Sequence, residues 1–180
     1  IGADGNDGTA SNAGHVRVYK YNGTAWTKLG GDIDGEADDK SGWSVSLSSD
    51  GKTVAIGAPF NDGTASNAGH VRVYSWNGSA WTKLGGDIDG EAASDYSGIS
   101  VSLSSDGTTL AIGADGNDGT ASNAGHVRVY NLVNANAPVA SNVSAATVVN
   151  TNATIHLVAS DVDYDCLLYT SPSPRDTFES

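Results

Sequence analysis

Asp32-Ile-Asp34-Gly-Glu36 and Asp87-Ile-Asp89-Gly-Glu91 are the stretches whose residue types and spacing best suit chemistry. Alternate carboxylates around a glycine turn can converge on a hard cation, and calcium is the cofactor such a step would take. Asp39 and Asp95 follow a few residues on. Calcium takes about 6–8 oxygen ligands and each step supplies about three or four, so a solvated acidic turn is the competing reading. Asp161 and Asp163 form a third acidic step. His15, His70 and His126 recur at one equivalent position, followed in turn by Arg17, Arg72 and Arg128. A catalytic triad uses one histidine in one special setting. A histidine repeated with its neighbours reads instead as a packing or interstrand hydrogen-bonding residue. There is no Walker loop, zinc-ligand spacing or nucleophile elbow, and the single cysteine has no thiolate partner. The expectation is that this chain is not an enzyme.

The elements that hold these residues are repeated. "IGADGNDGTASNAGHVRVY" at residues 1–19 recurs unchanged at 112–130, and residues 56–74 differ from it only at Pro59 and Phe60. The offsets are 55 and 56 residues, the extra one lying in "EAASDYSG" against "EADDKSG". A period near 50 made of short strands signals a propeller or a related array, in which each unit buries its faces against its neighbours. Within a unit, alternating runs predict strands over Trp43–Leu47, Thr53–Gly57, Val71–Trp76 and Ala80–Leu84. Asp50-Gly51 and Asn77-Gly78 are favoured two-residue hairpin turns, and Asn22-Gly23 repeats the second. "GGDIDGEA" then carries the chain into the next unit. Four antiparallel strands and a crossover make one propeller blade. Trp26 and Trp81 occupy matching positions after these turns. They read as packing against the next blade, with a sugar-stacking platform as the alternative.

"SGWSVSLSSDGKTVAIGAP" followed by "GHVRVY" resembles the FG-GAP repeats of integrin α-type β-propellers. Ser41-Gly42 stands where that family has Phe-Gly, and Gly57-Ala58-Pro59 is its Gly-Ala-Pro. The resemblance covers residue 1 to about 132. It implies a propeller, usually of seven blades, often serving extracellular adhesion. The calcium-binding loop of the family lies between the first two strands of a blade. "LSSDGKT" and "LSSDGTT" stand there with too few carboxylates for a cage, so that site is not carried over. The expected fold is all-β. It is an incomplete β-propeller of about two and a half four-stranded blades over residues 1–133, read as truncated at its N-terminal end. A linker at 134–138 and the start of a β-sandwich at 139–165 follow.

That second module, "APVASNVSAATVVNTNATIHLVASDVDYD", resembles the opening of bacterial cadherin-like or Ig-like modules. Asp161 and Asp163 match the acidic step of those modules, which raises the expectation of calcium there. The last stretch, "CLLYTSPSPRDTFES" at 166–180, changes dialect. Its codons can be written to spell CTGTCTCTTATACACATCT followed by CCGAGCCCACGAGAC, which resembles the transposase end and adaptor of short-read sequencing libraries. Residues 166–180 therefore read as a non-native, adaptor-derived tail. Cys166 then says nothing about redox chemistry.

Nine basic residues against twenty-one acidic ones give a net charge of -12. Such a surface is poor material for phosphate backbones or anionic membranes, so nucleic acid is not an expected partner. No apolar run approaches the ~20 residues that cross a bilayer as a helix. Asn22, Asn77, Asn142 and Asn152 lie in glycosylation-type sequons. The reading is a fragment of a large secreted or cell-surface repeat protein whose propeller serves adhesion or protein–protein binding. The partner is an extracellular protein or glycan. The alternative is a carbohydrate-binding propeller accessory to a secreted hydrolase.

Overall fold

The computed structural model describes residues 1–132 and, beyond them, the backbone of residues 139–140 and 159–160. The chain divides into two units, residues 1–132 and 133–180. The first unit is all-β. Its strands are β1 (Gly2–Ala3), β2 (His15–Val16), β3 (Tyr19–Tyr21), β4 (Trp26–Lys28), β5 (Ile33–Asp34), β6 (Ser44–Leu47), β7 (Thr53–Ala58), β8 (His70–Trp76), β9 (Trp81–Lys83), β10 (Ile88–Asp89), β11 (Ser100–Leu103), β12 (Thr109–Ala114) and β13 (His126–Asn131).

The central sheet is a whole blade. β6 pairs with β7, β7 with β8, and β8 with β9, all antiparallel. β11, β12 and β13 repeat the first three strands of it. β1, β2 and β5 form one sheet before it, and β3 pairs with β4. The crossover adds something that was not expected: β10, inside "GGDIDGEA", folds back onto β8 and extends the outer strand. The turns also differ from expectation. Ser48 N–H donates to Thr53 C=O at 2.9 Å, so Ser49–Lys52 make a four-residue loop rather than a two-residue one. The Asp50 carboxylate holds that loop by accepting from the Ser48 hydroxyl and the Lys52 N–H. At the other hairpin Asn77 N–H donates to Ala80 C=O at 3.1 Å, which centres the turn on Gly78-Ser79. Gly78 has φ of 101°, and glycine at the first central position is what a II′ turn requires. Asn77 becomes the bracket, its side-chain oxygen accepting from Ser79 and Ala80.

Alternation along β7 sends Val54 and Ile56 to one face of the central sheet and Ala55 to the other. Val54 and Ile56 pack with Val16 and Ile33 of the first repeat. Ala55 packs with Val71 and Val73 against Leu110 and Ile112 of the third. The core is thus the set of junctions between sheets, as in a propeller. The Gly-Ala-Pro glycine has a steric reason to be glycine. A Cβ at Gly57 would strike the carbonyl oxygen of Gly98, the glycine of the next Ser-Gly pair. Gly2 meets Gly42 in the same way.

In the second unit, β14 (Val139–Ala140) pairs antiparallel with β15 (Ala159–Ser160). The linker, most of the cadherin-like stretch, Asn142, Asn152, Asp161, Asp163 and the tail at 166–180 lie outside the described residues.

Candidate functional site

The acidic steps acquire their geometry from a glycine bulge. Leu84 N–H still follows the β8–β9 register and donates to Val73 C=O, whereas Ile88 pairs with Val71. Gly85, Gly86 and Asp87 therefore oppose Arg72 alone. Gly85 adopts φ of 67°, a left-handed conformation that glycine takes at no steric cost. The bulge sets Asp87 against Arg72 and leaves Asp89 directly opposite His70. Gly30, Gly31 and Asp32 build the same bulge opposite Arg17, with Asp34 opposite His15.

Arg72 holds Asp87 in a two-pronged grip, Nε to Oδ1 at 3.0 Å and Nη2 to Oδ2 at 2.8 Å. Lys83 adds a third contact to Oδ1 at 2.7 Å. Arg17 and Lys28 treat Asp32 alike, at 2.9, 2.7 and 2.8 Å. The guanidinium of Arg72, followed by the ammonium of Lys83, holds the Asp87 carboxyl far below the usual carboxylate range. Asp32 is held down by Arg17 and Lys28 in the same way. Glu36 does not join its own step. It reaches to the next blade and accepts from Arg72 Nη2 at 2.6 Å, as Glu91 does from Arg128. Asp39 and Asp95 are buried, and each accepts a hydrogen bond from an asparagine of the following repeat, Asn61 and Asn117. A calcium cage would need these carboxylates to turn to one point, whereas Asp32, Asp87, Glu36 and Glu91 are turned to arginine and lysine, and Asp39 and Asp95 to asparagine amides.

The structure brings other residues together. His70, Asp87 and Asp89 place one ring nitrogen and two carboxylate oxygens within 4.8 Å of one another, and His15, Asp32 and Asp34 do the same. His70 is 2% exposed, while Asp89 is exposed. Burial, seconded by Arg72, pushes the His70 pKa below its ordinary value, against the pull of Asp39, Asp87 and Asp89. The sequence had set these histidines apart from the acids, because the bulge that joins them to β10 and β5 leaves no mark beyond a Gly-Gly pair.

A second cluster lies where β6 begins and β7 ends. The rings of Trp43 and Phe60 are 5.5 Å apart and those of Phe60 and Tyr96 5.6 Å, edge to face. Lys40 Nζ lies 4.7 Å from the centre of the Phe60 ring. These four residues stand at three positions of the repeat, each of which differs between copies. Gly5 and Gly116 stand in place of Phe60, Ile99 in place of Trp43, and Lys40 and Tyr96 occupy the same site of successive repeats. The paired tryptophans part company. Trp81 packs between blades, but against the preceding repeat rather than the next, donating from Nε1 to the Leu29 carbonyl at 2.9 Å. Trp26 is 70% exposed beside Tyr21. An apolar cleft of about 480 Å³ between Val16, Val18, Trp26, Val45, Leu47 and Val54 is lined by blade-packing surface rather than by convergent polar groups.

Residues 32–74 match the family model of the FG-GAP repeat. The matched stretch holds the Ser41-Gly42 pair, β6, β7, the Gly-Ala-Pro and β8. An FG-GAP repeat is a unit of β-propeller domains that engage other proteins. No curated protein matches the chain. No helix of the described residues is long and apolar enough to cross a membrane.

Proposed function

We propose that this chain belongs to a large secreted or cell-surface repeat protein, and that its propeller is a non-enzymatic module for adhesion through protein–protein contact. The supporting observation is the Lys40–Trp43–Phe60–Tyr96 cluster. Blade packing accounts for what the repeats share, yet the substitutions at these three repeat positions meet in one patch at one end of the blade. Trp43 remains 45% exposed there. Aromatic side chains beside a cation, standing on a rigid sheet, are the composition of a binding hot spot. The cadherin-like stretch beyond residue 133 would act as a stalk, with Asp161 and Asp163 as the calcium ligands that stiffen it.

The experiment is binding of the purified chain to a panel of cell surfaces before and after protease treatment. Two variants put the other repeats' residues into the patch, Phe60→Gly and Trp43→Ile, and so preserve the fold. Binding abolished by protease and by both variants supports the proposal. Binding that survives both variants overturns it.

The alternative reading is a carbohydrate-binding propeller accessory to a secreted hydrolase, in which the repeat's tryptophans would stack on sugars. Binding to immobilised glycans that Trp26→Ala abolishes, with cell binding lost on deglycosylation rather than proteolysis, would select that reading.

A further inference from the structure

We propose that this chain associates end to end with a second copy of itself, the outer face of the third repeat packing on the open face of the first. This goes beyond the adhesion reading and does not depend on it. The exposed apolar side chains gather at the two ends of the row of sheets. Val127 and Val129 of β13 are 68% and 67% exposed at one end. Ile1 is 77% exposed at the other, where Trp26 is open as well. Each of them has an equivalent that an internal junction covers. Val127 and Val129 correspond to Val71 and Val73, which are buried against Leu110 and Ile112 of the following repeat. Ile1 and Trp26 correspond to Ile56 and Trp81, which pack with Val16 and Ile33 of the preceding repeat. Apolar surface gathered in this way marks an interaction site.

The occupant follows from the repetition. Residues 1–19 and 112–130 are identical. The third repeat meets the central blade with Ile112 and Tyr130, and the first repeat carries the same residues as Ile1 and Tyr19. The central blade meets the third repeat with Ala55, Val71 and Val73. The third repeat carries their counterparts as Ala111, Val127 and Val129. The two ends are therefore the two halves of one junction, and the partner that fits both is this chain. Such a contact joins different faces of the two copies and is heterologous.

The union is weaker than an internal junction. Within the chain, Glu36 reaches Arg72 and Glu91 reaches Arg128 from one repeat to the next. Arg17 holds their place in the first repeat, but "NLVNANAP" follows Tyr130 where the other copies run on to an acidic step. The repeat thus supplies no glutamate to meet Arg17 from a second copy. Apolar contact holds the copies together against the repulsion of two chains of net charge -12. Salt screens that repulsion, so association should tighten as salt rises. Dilution separates the copies and leaves Trp26 open.

The test is sedimentation velocity of the full chain from micromolar to near-millimolar concentration, with a reductant that keeps Cys166 from joining chains. Ile1→Asp and Val129→Asp each put a charge on one half of the contact. Both positions are exposed, and circular dichroism checks that the sheets remain. The expected result is a mass that rises with concentration, an association that either variant weakens at least about tenfold, and a tighter association at higher salt. A mixture of the two variants keeps one sound junction and should give a species of two chains and nothing larger. A chain that stays monomeric throughout overturns the proposal, as does a mixture of the variants that stays monomeric. Association that survives both variants would put the contact elsewhere and overturn it too. Loss of association in salt would show an ionic contact, and disruption by Val129→Asp but not by Ile1→Asp an isologous one; either result overturns it.

Discussion

Asn61 donates from Nδ2 to Asp39 Oδ1 at 2.8 Å, joining two successive repeats through a pair that is almost wholly buried. The other oxygen of Asp39 accepts from the Glu36 N–H, and the other end of Asn61 accepts from the Gly63 N–H. A buried carboxylate stripped of one donor bears a desolvation penalty that nothing repays. Asn61→Ala should therefore destabilise the fold by about 2–3 kcal/mol in urea unfolding. Asn6 holds the same place in the first repeat, where among the described residues its side chain accepts from Gly8 alone. Asn6→Ala should cost less than about 1 kcal/mol. Equal losses at the two positions would show that the inter-repeat contact contributes nothing.

The glycines of the repeat motif make a sharper prediction. A methyl group at Gly57 would run into the Ser44 hydroxyl, which could swing away, and into the Gly98 carbonyl oxygen and carbon, which are backbone and cannot. Gly57→Ala should lower stability by at least about 3 kcal/mol, since relief requires two blades to separate. Gly51, at φ of 71° but with open space around it, isolates the backbone effect alone. Gly51→Asn should cost well under about 1 kcal/mol, because asparagine tolerates that conformation. Thermal melts of the two variants decide the matter.

Much of this was legible in the sequence, and the reason is repetition. Near-identical copies show which positions a blade needs, and the alternation in "TVAIGA" gives β7 both of its faces. Ladder positions followed from period-two patterning to within a residue or so. The turns were less legible, because Asp-Gly and Asn-Gly carry the same expectation while the hydrogen bonds of Ser48 and Asn77 place the loops differently. Least legible was the fate of the acids. Asp32, Asp34 and Glu36 are one motif in sequence, but alternation sends the first two to the strand face of His15 while Glu36 crosses to Arg72. Pairings that depend on a bulge, or on a neighbouring blade, are not written in local spacing.

The hairpin carboxylates set an acid limb. The Ser48 hydroxyl, then the Lys52 N–H, favour ionised Asp50 and lower its pKa from the ordinary 3.8. Asp106 is lowered by the Ser104 hydroxyl and the Thr108 N–H. The unfolded chain takes up these protons at higher pH than the folded one. The stabilisation is thus complete above pH 3.8 and is lost as pH falls through the folded-state values. Carboxyl NMR titration should show both groups titrating below 3.8, and Ser48→Ala should move Asp50 back towards it. An unmoved Asp50 would contradict the hydroxyl's role.

Trp26 and Trp81 occupy one position of the repeat and offer a matched pair. Trp81 places its ring among Val16, Ile33, Val54 and Ile56 and gives its N–H to the Leu29 carbonyl at 2.9 Å. Trp26 has the same local hairpin and the same aromatic neighbour, Tyr21 in place of Trp76, but it stands 70% exposed. Trp81→Phe keeps most of the apolar surface and removes the donor, leaving the Leu29 carbonyl without it. That change should cost about 1–2 kcal/mol. Trp81→Ala should cost about 3–5 kcal/mol, since it also empties the junction. Trp26→Ala, with little surface to lose, should stay within about 1 kcal/mol. Denaturant melts of the three variants test the assignment, because position in the repeat is held constant while the junction is present for one tryptophan and not the other. A large loss at Trp26 would mean that its ring is covered in solution, and its availability to a ligand would go with it.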